Sequence, residues 1–212
     1  MELIRFELIF WDFDGVIKDS ICAKKESFSE LFQNYGERVC KKIEKHHIEN
    51  GGISRYQKIP LYLKWCKVEP TKSKIDTYCD KFSEIVKNKV VNSSWVPGVK
   101  NFISKNSQKY IFIIVSASPQ DELNDICKLL DIDKYFYKIY GSPISKSKVI
   151  NDCYTFFKIS PKKCLVIGDS QTDIDAAKKN GIEIIFRRHE LNQNIKLDPD
   201  IIEIKNFLNL VR

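Results

Sequence analysis

Leu8-Ile9-Phe10-Trp11-Asp12-Phe13-Asp14-Gly15-Val16 is the stretch on which the reading of this chain turns. A short apolar run stops at two carboxylates and a glycine, the pattern of a buried strand delivered into a loop. Asp12 and Asp14 are two residues apart, so extended backbone projects both to the same side. Gly15 can take a positive φ there and turn the chain out of the strand. Neighbouring carboxylates repel each other unless a cation sits between them, and a hard, oxygen-seeking ion such as Mg²⁺ suits that place. Asp-Gly also occurs simply as a turn, so the rest of the chain has to decide.

Beyond Gly15 the texture changes. From Asp19 to about Ser93 the sequence is charged, helical in period and poor in strand signals. Phe28, Leu31, Phe32 and Tyr35 mark a first helix, and Val39, Ile43 and His46-His47 a second. After the break at Asn50-Gly51-Gly52, Ile59, Leu61, Tyr62 and Trp65 mark a third, and Ile75 through Val90 a fourth. From Trp95-Val96-Pro97-Gly98 onward, strands and helices alternate. Strands are expected at 110–115, 135–140, 163–167 and 183–186, and helices at 99–106, 120–130, 145–157 and 171–180. An edge strand at 201–204 and a last helix close the pattern, while the segment 187–200 carries no signal. This alternation predicts an α/β fold with a parallel, Rossmann-like sheet and helices on both faces. The expected division is a core of residues 1–17 and 94–212 with a four-helix insertion at 18–93.

Ligands of such sheets bind at the carboxyl ends of the strands, and chemistry-bearing residues gather there. Ser116-Ala117-Ser118 follows the second core strand, where hydroxyls and backbone N–H groups can hold an anion or cap the next helix. Lys146 opens a helix, a position that opposes the helix dipole unless an anion meets it. Lys148, two residues on, is the alternative. Gly168-Asp169 ends another apolar strand, and Asp173 follows one helical turn later. Each feature has an ordinary structural explanation, but all four in order at four strand ends point to one site.

Composition sets the bounds. The chain has 212 residues, 43% of them hydrophobic, enough for one large core with an insertion. Its net charge of +7 comes from lysines spread along the whole chain, without a nucleic-acid motif, so a solvated basic surface is the better expectation, with a secondary benefit for phosphorylated ligands. The seven cysteines are scattered, without a C-x-x-C pair, which argues against a disulfide framework and a zinc site. No segment has transmembrane or signal-peptide character, so a cytoplasmic protein without membrane attachment is expected, as a monomer or weak homodimer.

These residues carry a family resemblance. Asp12-Phe13-Asp14-Gly15-Val16 resembles the D-x-D-G-[TV] first motif of the haloacid-dehalogenase-like (HAD) phosphohydrolases. Ser116 resembles the second motif, Lys146 the third, and Gly168-Asp169 with Asp173 the G-D-x(3)-D form of the fourth. The helical insertion is similar to the family's C1 cap. Within the family, Asp19-Ser20, Gly52-Ile53-Ser54-Arg55 and Ser116-Ala117-Ser118 resemble the β-phosphoglucomutase-like branch. Pro119, Lys24 and Gly168-Asp169 depart from the mutase pattern and favour hydrolysis.

The resemblance implies a Mg²⁺-dependent phosphatase of a small phosphorylated metabolite, such as a sugar phosphate. A phosphomutase and a non-catalytic binding protein are the alternatives. Asp12 would be the nucleophile and Asp14 the general acid and base, with a carboxyl pKa raised by neighbouring negative charge. Asp12, Asp14 (through its carbonyl) and Asp169 would hold Mg²⁺, with Asp173 orienting a metal-bound water or Lys146. Ser116, Ala117 and Lys146 would bind the phosphoryl oxygens. Arg55, Lys24 and Ser118 would set specificity, Arg55 through a bidentate fork. His46, His47, Asn50 and Lys58 are further cleft candidates, the two histidines reading better as packing residues.

Overall fold

The opening strand is apolar without alternation because both of its faces are covered. In the computed structural model, which describes residues 3–210, β1 (Leu8–Trp11) is central to a six-stranded sheet. Positions 1–2 and 211–212, the outer ends of the expected core, lie outside the described residues. The chain continues through β2 (Lys18–Asp19), α1 (Ile21–Leu31), α2 (Glu37–Glu49), α3 (Arg55–Trp65), α4 (Lys72–Asn92) and β3 (Ser94–Trp95). Then come α5 (Val99–Asn106), β4 (Ile111–Pro119), α6 (Gln120–Leu129), β5 (Lys138–Ser142) and α7 (Lys146–Phe157). The last elements are β6 (Cys164–Gly168), α8 (Gln171–Asn180), β7 (Glu183–Arg187) and β8 (Ile202–Ile204).

The sheet order is β5-β4-β1-β6-β7-β8, every pairing parallel. The chain crosses from one side of β1 to the other between β5 and β6, so the carboxyl ends of β4, β1 and β6 open onto one crevice. Alternate residues serve opposite faces. Ile9 and Trp11 join one apolar cluster with Phe112, Ile114, Leu165 and Ile167, under α5 and α6. Leu8 and Phe10 join a second with Ile113, Val115, Val149 and Ile174, under α7 and α8. Trp11 is fully buried among Phe102, Phe112, Phe136 and Phe207, with ring centroids 5.3–6.5 Å away. It fixes the end of β1 from which the Asp12 loop departs.

The segment between the first two core strands is helical, as its periodicity predicts. α1 to α4 bury Phe28, Phe32, Ile43, Ile59, Tyr62, Leu63 and Phe82 against one another. Phe28 stacks on Phe82 at 4.0 Å and meets Tyr62 edge-on at 5.4 Å. The chain leaves and re-enters the core side by side, since β2 and β3 form an antiparallel ribbon. Lys18 is buried there, with Nζ donating to the Val91 carbonyl at 3.0 Å and lying over the Trp95 ring.

Two expected elements shift. The strand predicted at 135–140 runs instead from Lys138 to Ser142, and Asp133–Tyr135 forms a 3-10 turn. Pairing with β4 sets this register (Ile113 opposite Lys138), and β4 itself continues to Pro119. The last helix is a 3-10 turn at Leu208–Leu210, whose neighbour Phe207 is inserted beside Trp11.

Candidate active site

Each strand end contributes to one buried cluster. Asp12 leaves β1 with its amide donating to the Ile167 carbonyl at 2.9 Å, which continues the sheet pattern one residue further. Its Oδ1 accepts from the Phe13 N–H at 2.8 Å. Lys146, the first residue of α7, reaches across β1 and donates to Asp12 Oδ2 at 2.8 Å and Asp173 Oδ1 at 2.6 Å. Asp173 is held by the start of α8, where the Ser170 N–H and hydroxyl donate to its other oxygen at 3.2 and 2.5 Å. Lys148 instead pairs with Asp152 on the exposed side of α7, so the structure brings Lys146, and not Lys148, to the cluster.

Asp12, Asp169 and Asp173 offer carboxylate oxygens all within 4.8 Å of one another. Burial pushes the Asp12 carboxyl well above the usual carboxylate range; Lys146 pulls it down, and Asp173 and Asp169 push it further up. Asp169 is likewise raised, by burial and then Asp173, against the pull of Lys146. Burial works against the Lys146 ammonium, but Asp12 and Asp173 outweigh it and hold its pKa above the ordinary value. Three carboxylates around one ammonium leave an excess of buried negative charge. A hard divalent cation would meet that excess, and the all-oxygen donor set fits one.

Gly15 makes the cluster sterically feasible. Its φ is +79°, and a Cβ there would fall 2.1 Å from Asp169 Oδ2. Only a glycine lets the loop after β1 pass this close to the carboxylate.

Asp14 differs from expectation. Its carboxylate turns away from Asp12 toward Ser20 (2.6 Å), Ser118 (3.1 Å) and the Lys24 ammonium. Burial pushes its pKa up, but Lys24 and the hydrogen bonds from Lys24, Ser20 and Ser118 prevail and hold it below the usual range. The expected raised value is therefore corrected: in this arrangement Asp14 is ionised, because its nearest charge is an ammonium. Lys24 also donates to the Ser118 hydroxyl at 2.8 Å. Ser116 is buried within β4, its hydroxyl accepting from the Ser118 N–H at 3.2 Å, and Ala117 lines the cavity beside it.

Arg55 is not free. Its guanidinium forms a bidentate pair with Glu122 on α6, at 2.8 and 2.6 Å, donates to the Ser83 hydroxyl at 2.6 Å, and lies over the Phe82 ring. The expected fork exists, but it grips a carboxylate of the protein itself. Sequence reasoning could not foresee this, because Glu122 reads as an ordinary first-turn acid of α6.

His189 also escaped the sequence. Its Nδ1 accepts from the Leu191 N–H at 3.2 Å, so Nε2 carries the proton and donates to Asp169 Oδ2 at 2.9 Å. Burial and then the Arg187 charge push its pKa down to about 4, so the ring is neutral. Asn192 steadies the same turn, donating to the Asp169 and Arg187 carbonyls at 2.8 and 2.9 Å.

The cluster opens into a cavity of about 310 Å³ between the helical insertion and the sheet. Asp12, Asp14, Ser116 and Asp169 form its floor side, and Lys24, Phe28, His47, Asn50, Lys58 and Phe82 its helical side. His47 is buried against the Phe28 ring, in the packing role expected of it, and lines the cavity as well. His46 packs against Tyr62 and Trp65 as expected. The loop before α3 rests directly on the core: a Cβ on Gly52 would lie 2.0 Å from Thr172 Oγ1.

Comparison with known proteins gives this arrangement its enzyme class, that of a hydrolase. The family description "Haloacid dehalogenase-like hydrolase" matches residues 9–186, and the chain is a member of that enzyme family. It is similar to a phosphorylated carbohydrates phosphatase of Thermotoga maritima, with 24% identity over 88% of this chain and 87% of the relative. It is also similar to a phosphoglycolate phosphatase of Pasteurella multocida, with 25% identity over 92% and 91%. Among solved structures, a β-phosphoglucomutase of Clostridium difficile shares the fold with a TM-score of 0.76 at 16% identity, over 97% of this chain and 93% of that one.

Proposed function

We propose that the chain is a Mg²⁺-dependent phosphatase of a small phosphorylated metabolite, acting through a phosphorylated Asp12. The observation that carries this reading is the Asp12–Lys146–Asp173 chain of contacts, at 2.8 and 2.6 Å, beside Asp169 at the carboxyl ends of the strands. Phosphoryl transfer needs an in-line nucleophile, compensation of the phosphate charge and a proton for the leaving oxygen. Asp12 supplies the nucleophile, its oxygens oriented by the Phe13 N–H and Lys146. Lys146, the Ser116 hydroxyl and the Ala117 backbone receive the phosphoryl oxygens. Asp14 moves the proton at the leaving oxygen and later takes one from the attacking water. The Lys24 ammonium keeps Asp14 ionised, so this pair must loosen and the carboxylate take up a proton from solvent before Asp14 can act as the acid.

Mg²⁺, held by Asp12, Asp169 and the Asp14 carbonyl, would neutralise phosphoryl charge when bound. Asp173 keeps Lys146 in place, and His189 orients Asp169. The helical insertion serves as a cap that excludes bulk water, with Gly52 packed close against Thr172 of the core. Among its relatives, phosphorylated carbohydrates and phosphoglycolate appear in the names, and phosphate esters of that size suit a cavity of about 310 Å³.

The test is phosphate release from a panel of such esters, with Mg²⁺ and with EDTA, by wild type and Asp12→Asn. Release that needs the metal and disappears in the variant supports the proposal. Isomerisation of a sugar phosphate with a bisphosphate activator, without free phosphate, would replace it with the mutase reading.

A further inference from the structure

The basic side chains around the cavity are not equivalent. Lys146 is held by Asp12 and Asp173, Lys24 by Asp14, and Arg55 by Glu122. Lys58 has no carboxylate partner among the described residues. It is 2% exposed, and its Nζ lies 3.0 Å from His47 Nδ1. His47 is buried too, and burial followed by the Lys58 and Lys24 charges pushes its pKa well below the ordinary value. The imidazole is therefore neutral, with Nδ1 accepting from the ammonium. Both side chains line the cavity.

A buried ammonium facing a neutral ring is poorly compensated. Burial, then the nearby Lys24, pushes the Lys58 pKa down to about 7, with only Asp14 acting in the other direction. Lys58 and Arg55 are three residues apart in the first turn of α3, and so share one face of that helix. Glu122 has taken one of these two cations and left the other facing the cavity. Ile21, Phe28 and Phe82 line the same cavity without charge, and the carboxylate that acts on Lys58, Asp14, is already paired with Lys24.

We propose that Lys58, seated against His47, is the specificity-determining residue that binds a second anionic group, a carboxylate or a phosphate, on the leaving-group side of a phosphate monoester substrate. This deepens the phosphatase reading and rests on it. The arriving anion completes the ion pair that the fold leaves open, and its distance from the reacting phosphate selects the length of the substrate. Asp12 and its neighbours act on one end of the molecule while Lys58 holds the other.

Matched esters test this assignment. Phosphoglycolate is compared with ethyl phosphate, which keeps the phosphate but lacks the carboxylate, and a hexose bisphosphate with its monophosphate; the two pairs separate carboxylate from phosphate recognition. In wild type, kcat/KM favours the charged member of at least one pair by roughly tenfold or more, as expected for one charge-assisted hydrogen bond. Lys58→Met brings that ratio close to one through KM rather than kcat, and Lys58→Arg restores part of it. Lys58→Met melts no lower than wild type, because a desolvated charge is removed, so the change in ratio is not unfolding. Calorimetric binding of the same esters to Asp12→Asn, with and without Lys58→Met, gives the ratio without turnover. Absence of phosphate release from every ester would refute the phosphatase reading, while the binding ratio would still decide on Lys58. A ratio near one in wild type, or one that Lys58→Met leaves unchanged, overturns the assignment.

Discussion

Asp169 is fixed on its outer side by a neutral histidine, and that contact orients the carboxylate proposed to hold the cation. His189→Ala removes the donor 2.9 Å from Asp169 Oδ2 and lets the carboxylate rotate. Groups that orient a metal ligand in this way typically contribute ten- to a hundredfold to affinity or rate. The Mg²⁺ concentration for half-maximal phosphate release should therefore rise roughly tenfold or more in His189→Ala, with a melting temperature close to wild type; an unchanged Mg²⁺ requirement would count against the arrangement. Most of the cluster is legible in the sequence, because Asp12, Ser116, Lys146 and Asp169 each follow an apolar run or open a helix. His189 is not, since it stands in a segment without periodicity and reaches Asp169 only because the turn at Glu190–Asn192 folds back onto β6. The charge state of Asp14 was equally hidden. Lys24 lies ten residues further on, and only the packing of α1 brings its ammonium to that carboxylate.

At the scale of elements, α3 and α6 are joined by the buried Arg55–Glu122 pair, with side-chain exposures of 4% and 5%. Breaking such a pair from one side leaves an uncompensated charge, at a cost of about 3–5 kcal/mol. Glu122→Ala should lower stability to denaturant by that order, whereas Glu37→Ala, which removes an exposed i,i+4 pair with Lys41, should change it by less than about 1 kcal/mol. Equal effects would show that the α3–α6 contact carries no special weight. The elements themselves follow the sequence closely where local signals dominate. The helices 99–106 and 171–180 lie where the sequence puts them, the first opening after Gly98 and the second stopped by Gly181. β5 does not, because its register is set by β4, a partner distant in sequence. The pairing of Arg55 with Glu122 is unreadable for the same reason: 67 residues separate them, and only the tertiary fold brings them together.

At the scale of the whole molecule, the fold places a helical insertion against a parallel sheet with a small polar cavity between them, lined by both acidic and basic side chains. One buried lysine in that cavity links its charge to global stability. Lys58 has a pKa of about 7 in the folded protein, against an ordinary value of 10.5. The groups facing it are His47 on α2, Lys24 on α1 and Asp14 in the loop after β1. Between these two pKa values the unfolded chain binds the proton that the folded chain has released, so stability from this group rises with pH through that window. Below the folded pKa the destabilisation is fully present. Lys58→Met should therefore exceed wild type in urea midpoint most at pH 6–7, and the difference should shrink toward pH 9.5. A difference independent of pH would mean that Lys58 is not desolvated. The helical character of the segment after Gly15 and the strand–helix alternation after Trp95 were legible in the change of sequence texture. The cavity between them was not, because it is made by residues that no local pattern connects. The central claim is that Asp12 itself receives the phosphoryl group, and it is tested most directly by acid-quenching the enzyme during turnover of its best ester and mapping the tryptic peptide 6–18. Phosphate on Asp12 in wild type, absent in Asp12→Asn, is the predicted result. Sustained turnover with the label absent from Asp12, or carried by another residue, would contradict it.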